Sequence, residues 1–290
     1  MMQTRQQFVH QIFPVARQAP LEGLYLAEKL AEIPPTLGHS LVFADFLTDR
    51  RGVIAEANAR AFQVPAQIKN GADWRLFQEL MAQADVIISG AAYLKRAAVQ
   101  GAGAQNVLSQ FEAGGEFADL GAWRLRHGYK TRSPDLAVVT HGLTMAIPDS
   151  ARENGRKLTL FTTRKEAGSG LAKELQAEGI GVIGGGEDGV DGGTLADTLS
   201  GMGYKVIQMA TGPRVLGLLL EANRLDRLYI TEAQVELDAG DPAAVQTVLP
   251  AGQSVHNLPG FHLFHNYLQE DVLAANGEPI SQRFLRFDRD

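Results

Sequence analysis

The chain has 290 residues, of which 45% are hydrophobic and 21% are charged, as expected for an ordinary globular protein. Its net charge of −6 gives no electrostatic basis for nucleic-acid binding, and the absence of cysteine excludes disulfides, thiolate catalysis and cysteine-ligated metals. No apolar run approaches the roughly 20 residues of a membrane-spanning helix. We therefore expect a cytoplasmic protein that binds neither nucleic acid nor membranes.

Prolines interrupt the beginning of the chain, at Pro14, Pro20, Pro34 and Pro35. Because proline breaks both helices and strands, residues 1–38 are predicted to form an N-terminal extension. A single domain is predicted over 39–290.

The first elements of this domain are a buried strand over 41–47 and a short strand at 53–55, joined by the turn Asp49-Arg50-Arg51-Gly52. Asp73 is predicted to cap a helix over 74–83, because aspartate accepts the free N–H groups of a helix start. An apolar strand begins at Val86 and ends at Ser89-Gly90.

The next segment, 100–133, is rich in glycine and is predicted to be irregular. Beyond it, apolar runs predict strands and helices in alternation. The strands are expected at 136–140, 158–162, 181–183, 206–207 and 227–231, and the helices at 169–178, 195–202 and 214–223. This alternation predicts an α/β fold whose mixed, mostly parallel sheet is flanked by helices. After residue 232, prolines and aromatic runs predict antiparallel structure that ends in an edge strand.

Four predicted strands end in small or polar residues, near residues 90, 163, 184 and 212. In open α/β sheets, ligands bind beyond the carboxyl ends of the strands. The turn at Thr211-Gly212-Pro213 leads directly into a helix, whose free N–H groups and positive end favour an anion. Thr162-Thr163-Arg164-Lys165 offers hydroxyls and cations that suit a phosphate, although a solvated turn is an equal alternative.

Two further motifs leave alternatives open. Gly184–Gly189 matches the G-x-G-x-x-G pattern but lacks the acidic residue and the helix placement of a dinucleotide fingerprint. It is either a loop beside a cofactor or a flexible loop with Asp191 near a helix start. His262 and His265 have a spacing that can share a metal, yet their aromatic surroundings favour packing, and no metal site is predicted.

Three segments together resemble the reductase domain of riboflavin biosynthesis, the RibD C-terminal family. They are LVFADFLTDRRGVIA (41–55), ADWRLFQELMAQADVIISGAAYLK (72–95) and GYKVIQMATGPRVLGLLLEANRLDRLYIT (203–231). The resemblance implies a dihydrofolate-reductase-like fold, an NADPH cofactor and hydride transfer to a small, phosphorylated aminopyrimidine. It also implies a homodimer formed through a sheet edge, for which Phe284 and Leu285 of the last strand are candidates.

Carried onto this sequence, the resemblance and the strand-end pattern indicate two groups of site residues. The expected cofactor-binding residues are Gly90, Ala91, Thr162, Thr163, Gly184, Gly185, Thr211, Gly212, Pro213, Arg214, Val215 and Leu216. The expected substrate-binding residues are Asp45, Arg51, Asp73 and Ala210. Arg51 replaces the acidic turn residue of the family, and Ala210 replaces its substrate-facing glutamate. These departures keep open a non-catalytic or divergent NADPH-binding protein on the same fold.

Overall fold

The computed structural model describes residues 7–56, 64–100, 111–237 and 245–290. The chain divides into two compact units. The first comprises Met1–Glu28, Phe43–Glu79 and Leu225–Asp290, and the second comprises Lys29–Val42 and Leu80–Arg224.

The first unit is built mainly on six strands, and α2 (Gly71–Gln83) contributes most of its length to it. The strands are β1 (Phe8–Phe13), β2 (Arg17–Pro20), β3 (Leu41–Thr48), β10 (Arg227–Ala233), β12 (Phe261–Leu273) and β13 (Pro279–Arg289). Their order is β2-β1-β12-β13-β10-β3, and only the β10–β3 pair is parallel. A small two-stranded sheet pairs β4 (Val53–Glu56) with β11 (Val245–Thr247).

The predicted edge position of the last strand is wrong. β13 lies between β12 and β10 and pairs with both, and the side chains of Phe284 and Leu285 are buried. These two residues therefore cannot form a dimer contact at a free sheet edge, because the long β12–β13 hairpin places them in the core.

Strands β3, β10 and β13 present two faces, since successive side chains of a strand point to opposite sides. The register aligns Tyr229 with Asp45 and with Arg286, and aligns Glu232 with Thr48 and with Arg283. We call the side that carries Asp45, Tyr229, Thr231 and Arg286 the tyrosine face. The opposite side, with Thr48, Glu232, Arg283 and Phe287, is called the histidine face because His256 packs on it.

A buried ion network fastens the segment before residue 29 to the tyrosine face. Tyr229 donates to Glu28 at 2.5 Å and Arg286 donates to the same carboxylate at 3.0 Å. Burial raises the pKa of Glu28, and the nearby arginine charge opposes that rise. The carboxylate of Glu79, on α2, accepts the backbone N–H groups of Gly23 and Tyr25. A buried hydrogen-bond acceptor is costly to leave unpaired, so these hydrogen bonds hold the irregular segment before residue 29 in place.

The second unit is a parallel sheet with the strand order β9-β5-β6-β7-β8. Its strands are β5 (Val86–Gly90), β6 (Asp135–Val139), β7 (Leu158–Thr162), β8 (Gly181–Gly184) and β9 (Val206–Met209). Its helices are α1 (Pro34–Leu37), α3 (Ala91–Gln100), α4 (Ala118–Arg126), α5 (Arg164–Ala167), α6 (Gly170–Ala177), α7 (Gly192–Gly201) and α8 (Pro213–Glu221). The predicted α/β fold, with a mixed, mostly parallel sheet flanked by helices, is confirmed.

Side-chain caps explain where several of these helices begin. Thr163 accepts the N–H of Glu166, Ser169 that of Ala172, and Asp191 that of Thr194. Each cap pairs an N–H group that the first helical turn leaves unbonded. With Asp191 as its cap, α7 begins three residues before the start that was predicted for this helix at residue 195. The separate expectation that a helix starts near Asp191 is confirmed.

The prediction of an irregular segment over 100–133 is wrong for its second half, because α4 forms there; residues 101–110 lie outside the described part. Arg124 of α4 is almost completely buried, and its Nη1 donates to the carbonyls of Ala82 and Ala84 at 3.0 and 2.6 Å. The guanidinium thus forms hydrogen bonds with one carbonyl in the last turn of α2 and one just beyond its end. A glycine-rich composition carried no signal for this long-range contact.

The division at residue 38 stays a prediction. Within the predicted extension, residues 8–20 form β1 and β2, which extend the sheet of the first unit beyond β12. None of the helices in the described part of the chain is long and apolar enough to cross a membrane.

Candidate functional site

The ends of β5 and β9 lie against each other in the second unit. Gly90 ends β5, and a Cβ added to it would lie 3.1 Å from the hydroxyl oxygen of Thr211. Ala210 follows β9 and donates its N–H to the carbonyl of Ile88 at 2.9 Å. The structure therefore brings Gly90, Ala210 and Thr211 together, and the missing Cβ of Gly90 leaves room for the threonine hydroxyl.

The start of α8 follows directly. Gly212 is its N-cap without a side-chain hydrogen bond, and Pro213 occupies the first turn. Gly212 and Arg214 are exposed, whereas Val215 and Leu216 are 7% and 0% exposed. The two apolar side chains belong to the core, so only their backbone can contribute to binding. A helix start that no side chain caps, with an exposed arginine in its first turn, suits an anionic ligand.

At the ends of β7 and β8, the polar groups are already used within the protein. Thr162 donates its hydroxyl to the carbonyl of His141 at 3.2 Å, and the hydroxyl of Thr163 caps α5. The N–H of Gly185 donates to the carbonyl of Thr162 at 2.7 Å. The side chain of Arg164 is paired with Glu187 at 2.5 Å, which offsets its charge.

Close packing explains why residues 184 and 185 are glycines. A Cβ on Gly184 would lie 3.0 Å from the Cα of Arg164, and one on Gly185 would lie 3.0 Å from the side chain of Val190. Close approach of backbone and side chains accounts for small residues here without a ligand. Cofactor binding by Thr162, Thr163, Gly184 and Gly185 stays a prediction.

The sequence reading omitted the end of β6, which lies between the two groups of strand ends. Its Thr140 donates a hydroxyl to the carbonyl of Gly142 at 2.6 Å, and His141 accepts from Thr162. Across five parallel strands the carboxyl edge extends about 19 Å, four strand spacings. A ligand that contacted the whole edge would have to be elongated.

In the first unit, Asp45 and Asp73 form a pair of carboxyl groups on the tyrosine face. Asp45 lies in the middle of β3, and Asp73 lies in the first turn of α2. The prediction that Asp73 caps this helix is wrong, because the side chain of Asn70 accepts the N–H of Asp73 at 2.9 Å. The carboxylate of Asp73 instead accepts a hydrogen bond from the hydroxyl of Thr231.

Both carboxyl groups have raised pKa values. Burial raises the pKa of Asp45 well above its usual range, and the charge of Asp73 adds to that rise against a hydrogen bond from Phe46. Burial likewise raises the pKa of Asp73 to about 6, and the hydrogen bond from Thr231 opposes the rise. Each of the two carboxyl groups therefore keeps its proton to a higher pH than an ordinary aspartate does.

Arg51 does not join this pair. Its N–H and that of Val53 donate to Asp49 at 2.8 and 2.9 Å, so the fully buried Asp49 organises the turn. The guanidinium of Arg51 reaches Asp49 at 3.3 Å and also donates to the carbonyl of Leu237. Arg51 lines a cavity on the histidine face, with Glu232 and His256.

His262 and His265 make separate contacts. His262 is exposed and lies 2.8 Å from Asp290, whereas His265 is buried beside Glu28. Burial, together with nearby arginines, lowers the pKa of His265 to about 3, so this ring is neutral. Within the described ranges, no three histidine or acidic side chains are grouped closely enough to hold a metal ion.

Comparison with known proteins connects this geometry to a fold. No protein-family model matches the chain, and no curated protein matches it in sequence. Among solved structures, a pyrimidine reductase-like protein from Corynebacterium diphtheriae matches with a TM-score of 0.58 and 19% identity, over 88% of this chain and 94% of that chain. The chain has the pyrimidine-reductase fold.

Two further structures share the pyrimidine-reductase fold. The diaminohydroxyphosphoribosylaminopyrimidine deaminase/5-amino-6-(5-phosphoribosylamino)uracil reductase of Thermotoga maritima matches with a TM-score of 0.55 and 11% identity, over 90% of this chain and 60% of that chain. The riboflavin biosynthesis reductase of Saccharomyces cerevisiae matches with a TM-score of 0.51 and 12% identity, over 91% of this chain and 99% of that chain.

On this pyrimidine-reductase fold, Ala210 is half-buried directly after β9. Its methyl group can neither hold a proton nor accept a hydrogen bond, so acid–base chemistry requires other side chains. Burial raises the pKa of both Asp45 and Asp73, and the charge of Asp73 adds to the rise at Asp45.

Sequence reasoning missed two residues that surround this pair. Thr231 is a buried polar residue that directly follows the run Leu228-Tyr229-Ile230 in β10, and the sequence contains no separate signal for it. Tyr25 lies in the predicted extension, where nothing in the sequence pointed to it. Burial raises the pKa of Tyr25, and the charge of Asp45 contributes to the rise.

Proposed function

We propose that the chain is an NADPH-dependent reductase of a small, phosphorylated pyrimidine substrate, resembling 5-amino-6-(5-phosphoribosylamino)uracil reductase. The pyrimidine-reductase fold supports the reaction class. The pair of half-buried carboxyl groups at Asp45 and Asp73 is the observation that favours an active enzyme over a protein that only binds the cofactor.

The residues at the ends of β5 and β9 fit a nucleotide cofactor. Gly90 lacks the Cβ that would crowd Thr211, and no side chain caps α8 at Gly212. In this proposal, the N–H groups at the start of α8 and the exposed guanidinium of Arg214 hold phosphate oxygens of NADPH. When bound, NADPH supplies a hydride to the substrate.

The carboxyl pair suits the nitrogen-rich substrate of such a reductase. The ionised member accepts hydrogen bonds from amino or ring N–H groups, and the protonated member can donate to a nitrogen or oxygen on which charge develops. Thr231 donates to Asp73 and therefore favours its ionised form. We assign the held proton to Asp45, whose pKa is raised more strongly by burial and by the charge of Asp73.

Binding and turnover can be tested separately. NADPH is titrated against the purified protein by calorimetry, and its oxidation is followed with 5-amino-6-(5-phosphoribosylamino)uracil. We expect saturable binding in the roughly micromolar to millimolar range typical of enzymes, and turnover above the protein-free rate. Absence of NADPH binding at about millimolar cofactor would refute the cofactor assignment.

Two variants sharpen the titration. Arg214→Gln removes the exposed cation at the start of α8 and should weaken NADPH binding, whereas Arg126→Gln removes an exposed arginine from α4 and should leave it unchanged. NADPH binding without any turnover would instead favour the non-catalytic NADPH-binding protein that Ala210 keeps open.

We also propose a homodimer, which sedimentation velocity would test.

A further inference from the structure

A cavity of about 170 Å³ opens on the histidine face of the first unit. Its lining includes Thr48 from the end of β3, Arg50 and Arg51 from the following turn, Glu232 from β10, and Ser254 and His256 from the segment before β12. It is smaller than the roughly 300–1,000 Å³ of pockets that enclose a drug-sized ligand. The cavity therefore suits one small group rather than a whole cofactor.

The charges around this cavity are mostly positive. Arg50, Arg51 and His256 line it, and Arg283 lies opposite Glu232 in the β10–β13 register. The carboxylates that oppose them are Glu232 and Asp49. Asp49 is fully buried and already engaged by the turn around Arg51. Four cationic side chains thus face two carboxylates, which leaves an excess of positive charge.

Glu232 holds His256 in a defined orientation. The Nε2 atom of His256 lies 2.6 Å from the carboxylate of Glu232, and the ring packs edge-on against Phe287 at 5.9 Å. A protonated imidazole donates from both nitrogens, so the ion pair with Glu232 leaves Nδ1 as a further donor. Ser254 accepts the N–H of His256 at 3.3 Å, so its hydroxyl proton can also be donated to a ligand.

The cavity is separate from the carboxyl pair. Asp45 and Thr231 point to the tyrosine face, whereas Thr48 and Glu232 point to the opposite side of the same strands. A ligand in the cavity would therefore not occupy the site that we assign to the substrate. The two sites also differ in charge, because cations surround the cavity, whereas the carboxyl pair at Asp45 and Asp73 repels anions.

We propose that this cavity is a second binding site, specific for a small oxyanion such as the phosphate of a phosphomonoester, with Arg50, His256 and Ser254 as its donors. Guanidinium and imidazolium groups bind phosphate oxygens through charge-assisted hydrogen bonds. The apolar part of the lining, which includes Val248 and Val255, accommodates the carbon atoms of an organic phosphate. This site does not depend on the proposed reductase activity.

Binding should weaken as pH rises, because His256 then loses its charge. The hydrogen bond with Glu232 raises the pKa of His256 above its ordinary value, whereas burial and Arg283 oppose the rise. The other charged groups around the ring are Arg50, Arg51 and Asp49, from the turn after β3. Because arginine stays protonated between about pH 5.5 and about pH 8, we assign the pH dependence to His256.

The test is calorimetric titration of the full chain with sodium sulfate, whose charge is constant over this pH range, and with glycerol 3-phosphate as an organic phosphate. Arg50→Gln and His256→Gln should each weaken sulfate binding about fivefold, which corresponds to roughly 1 kcal/mol for a solvent-accessible charge contact. His256→Gln should also abolish the pH dependence. Tighter binding of glycerol 3-phosphate than of sulfate would identify an organic phosphate as the preferred ligand.

Arg126→Gln, which removes an exposed arginine from the second unit, is the matched control and should leave sulfate binding unchanged. Circular dichroism checks that each variant is folded. Arg51 is not substituted, because its contacts build the turn. The proposal is overturned if sulfate does not bind saturably, or if it binds equally well to the protein, to Arg50→Gln and to His256→Gln.

Discussion

Among the described acidic side chains with shifted pKa values, those of the first unit other than Glu232 have them raised, whereas those of the second unit have them lowered. In the first unit, burial raises the pKa of Glu28, Asp45, Asp73 and Glu79. In the second unit, hydrogen bonds lower the pKa of Asp191, which caps a helix, and of Asp197, which pairs with Arg224. A buried carboxyl group with a raised pKa lowers the stability of the fold and is a candidate for acid–base catalysis. An ionised carboxylate that caps a helix instead stabilises the fold.

The same contrast extends to the strand ends. The second unit offers backbone N–H groups, close-packed glycines and hydroxyls that are bonded within the protein. Such groups bind and position a ligand but exchange no protons. We therefore expect substitutions in the second unit to change binding or stability, and substitutions of the carboxyl pair in the first unit to change turnover and pH dependence.

The largest effect is expected for Asp73→Asn. Asparagine keeps the shape but cannot be ionised, so the reductase turnover number should fall by about 10²–10⁴, the range for loss of a general acid or base. NADPH affinity should stay the same, as measured by calorimetry alongside the turnover assay.

Asp197→Asn is the matched control, because Asp197 is an exposed carboxylate of the second unit paired with Arg224 at 2.8 Å. It should leave turnover unchanged. Equal turnover in the Asp73→Asn variant and the unsubstituted protein would remove the carboxyl pair from the mechanism.

The next effect concerns the scaffold of the second unit. A Cβ on Gly192 would lie 2.1 Å from the backbone carbonyl oxygen of Leu218, where α7 meets α8. Gly192→Ala should therefore lower the free energy of unfolding by about 1–3 kcal/mol, because backbone has to move. Urea unfolding monitored by circular dichroism measures this change.

Gly201→Ala, in the last turn of the same helix, provides the comparison. A Cβ there meets no atom within 4 Å, so the free energy of unfolding should stay the same or rise slightly. If both substitutions had the same effect, close packing of α7 on α8 would not be the cause.

The two sites also differ in how far the sequence predicted them. In the second unit, small residues near strand ends are adjacent in sequence to the helices they precede, so local patterns correctly placed Gly90 at the end of β5 and Gly212 at the start of α8. In the first unit, the partners of the carboxyl pair are distant in sequence. Asp73 meets Thr231 across 158 positions, and neither composition nor periodicity contains such a contact. The prediction that Asp73 caps α2 was wrong for the same reason. It considered only neighbouring residues, whereas the carboxylate of Asp73 bonds to Thr231, which is distant in sequence.

The pH dependence of stability separates the units further. The folded pKa of Asp45 is raised, so above the ordinary aspartate pKa near 3.9 the folded state binds a proton that the unfolded state has lost. The contribution of Asp45 to the free energy of unfolding should therefore fall as pH rises through this window, by at most about 1.4 kcal/mol per pH unit. Asp45→Asn should make the total slope shallower by this contribution and stabilise the protein at about pH 8.

Urea unfolding at several pH values between about 5 and 8 measures the slope for both proteins. Asp191→Asn is the control from the second unit and should leave the slope unaltered above about pH 5, because hydrogen bonds lower the pKa of Asp191. Parallel curves for the unsubstituted protein and Asp45→Asn would mean that Asp45 is ionised in the folded state.

The smallest effect is expected where β5 and β9 meet. In Gly90→Ala, the new methyl group would lie 3.1 Å from the hydroxyl oxygen of Thr211, so the two strand ends must separate by a few tenths of an ångström. We expect NADPH affinity to fall about fivefold, corresponding to roughly 1 kcal/mol, with a smaller change in the free energy of unfolding. Gly170→Ala at the start of α6 meets no atom within 4 Å and should leave affinity unchanged. Because the added methyl group carries no charge, a fall in affinity would show that the shape of this junction, and not acid–base chemistry, is what the second unit contributes. Unchanged affinity in Gly90→Ala would move the cofactor away from the β5–β9 junction.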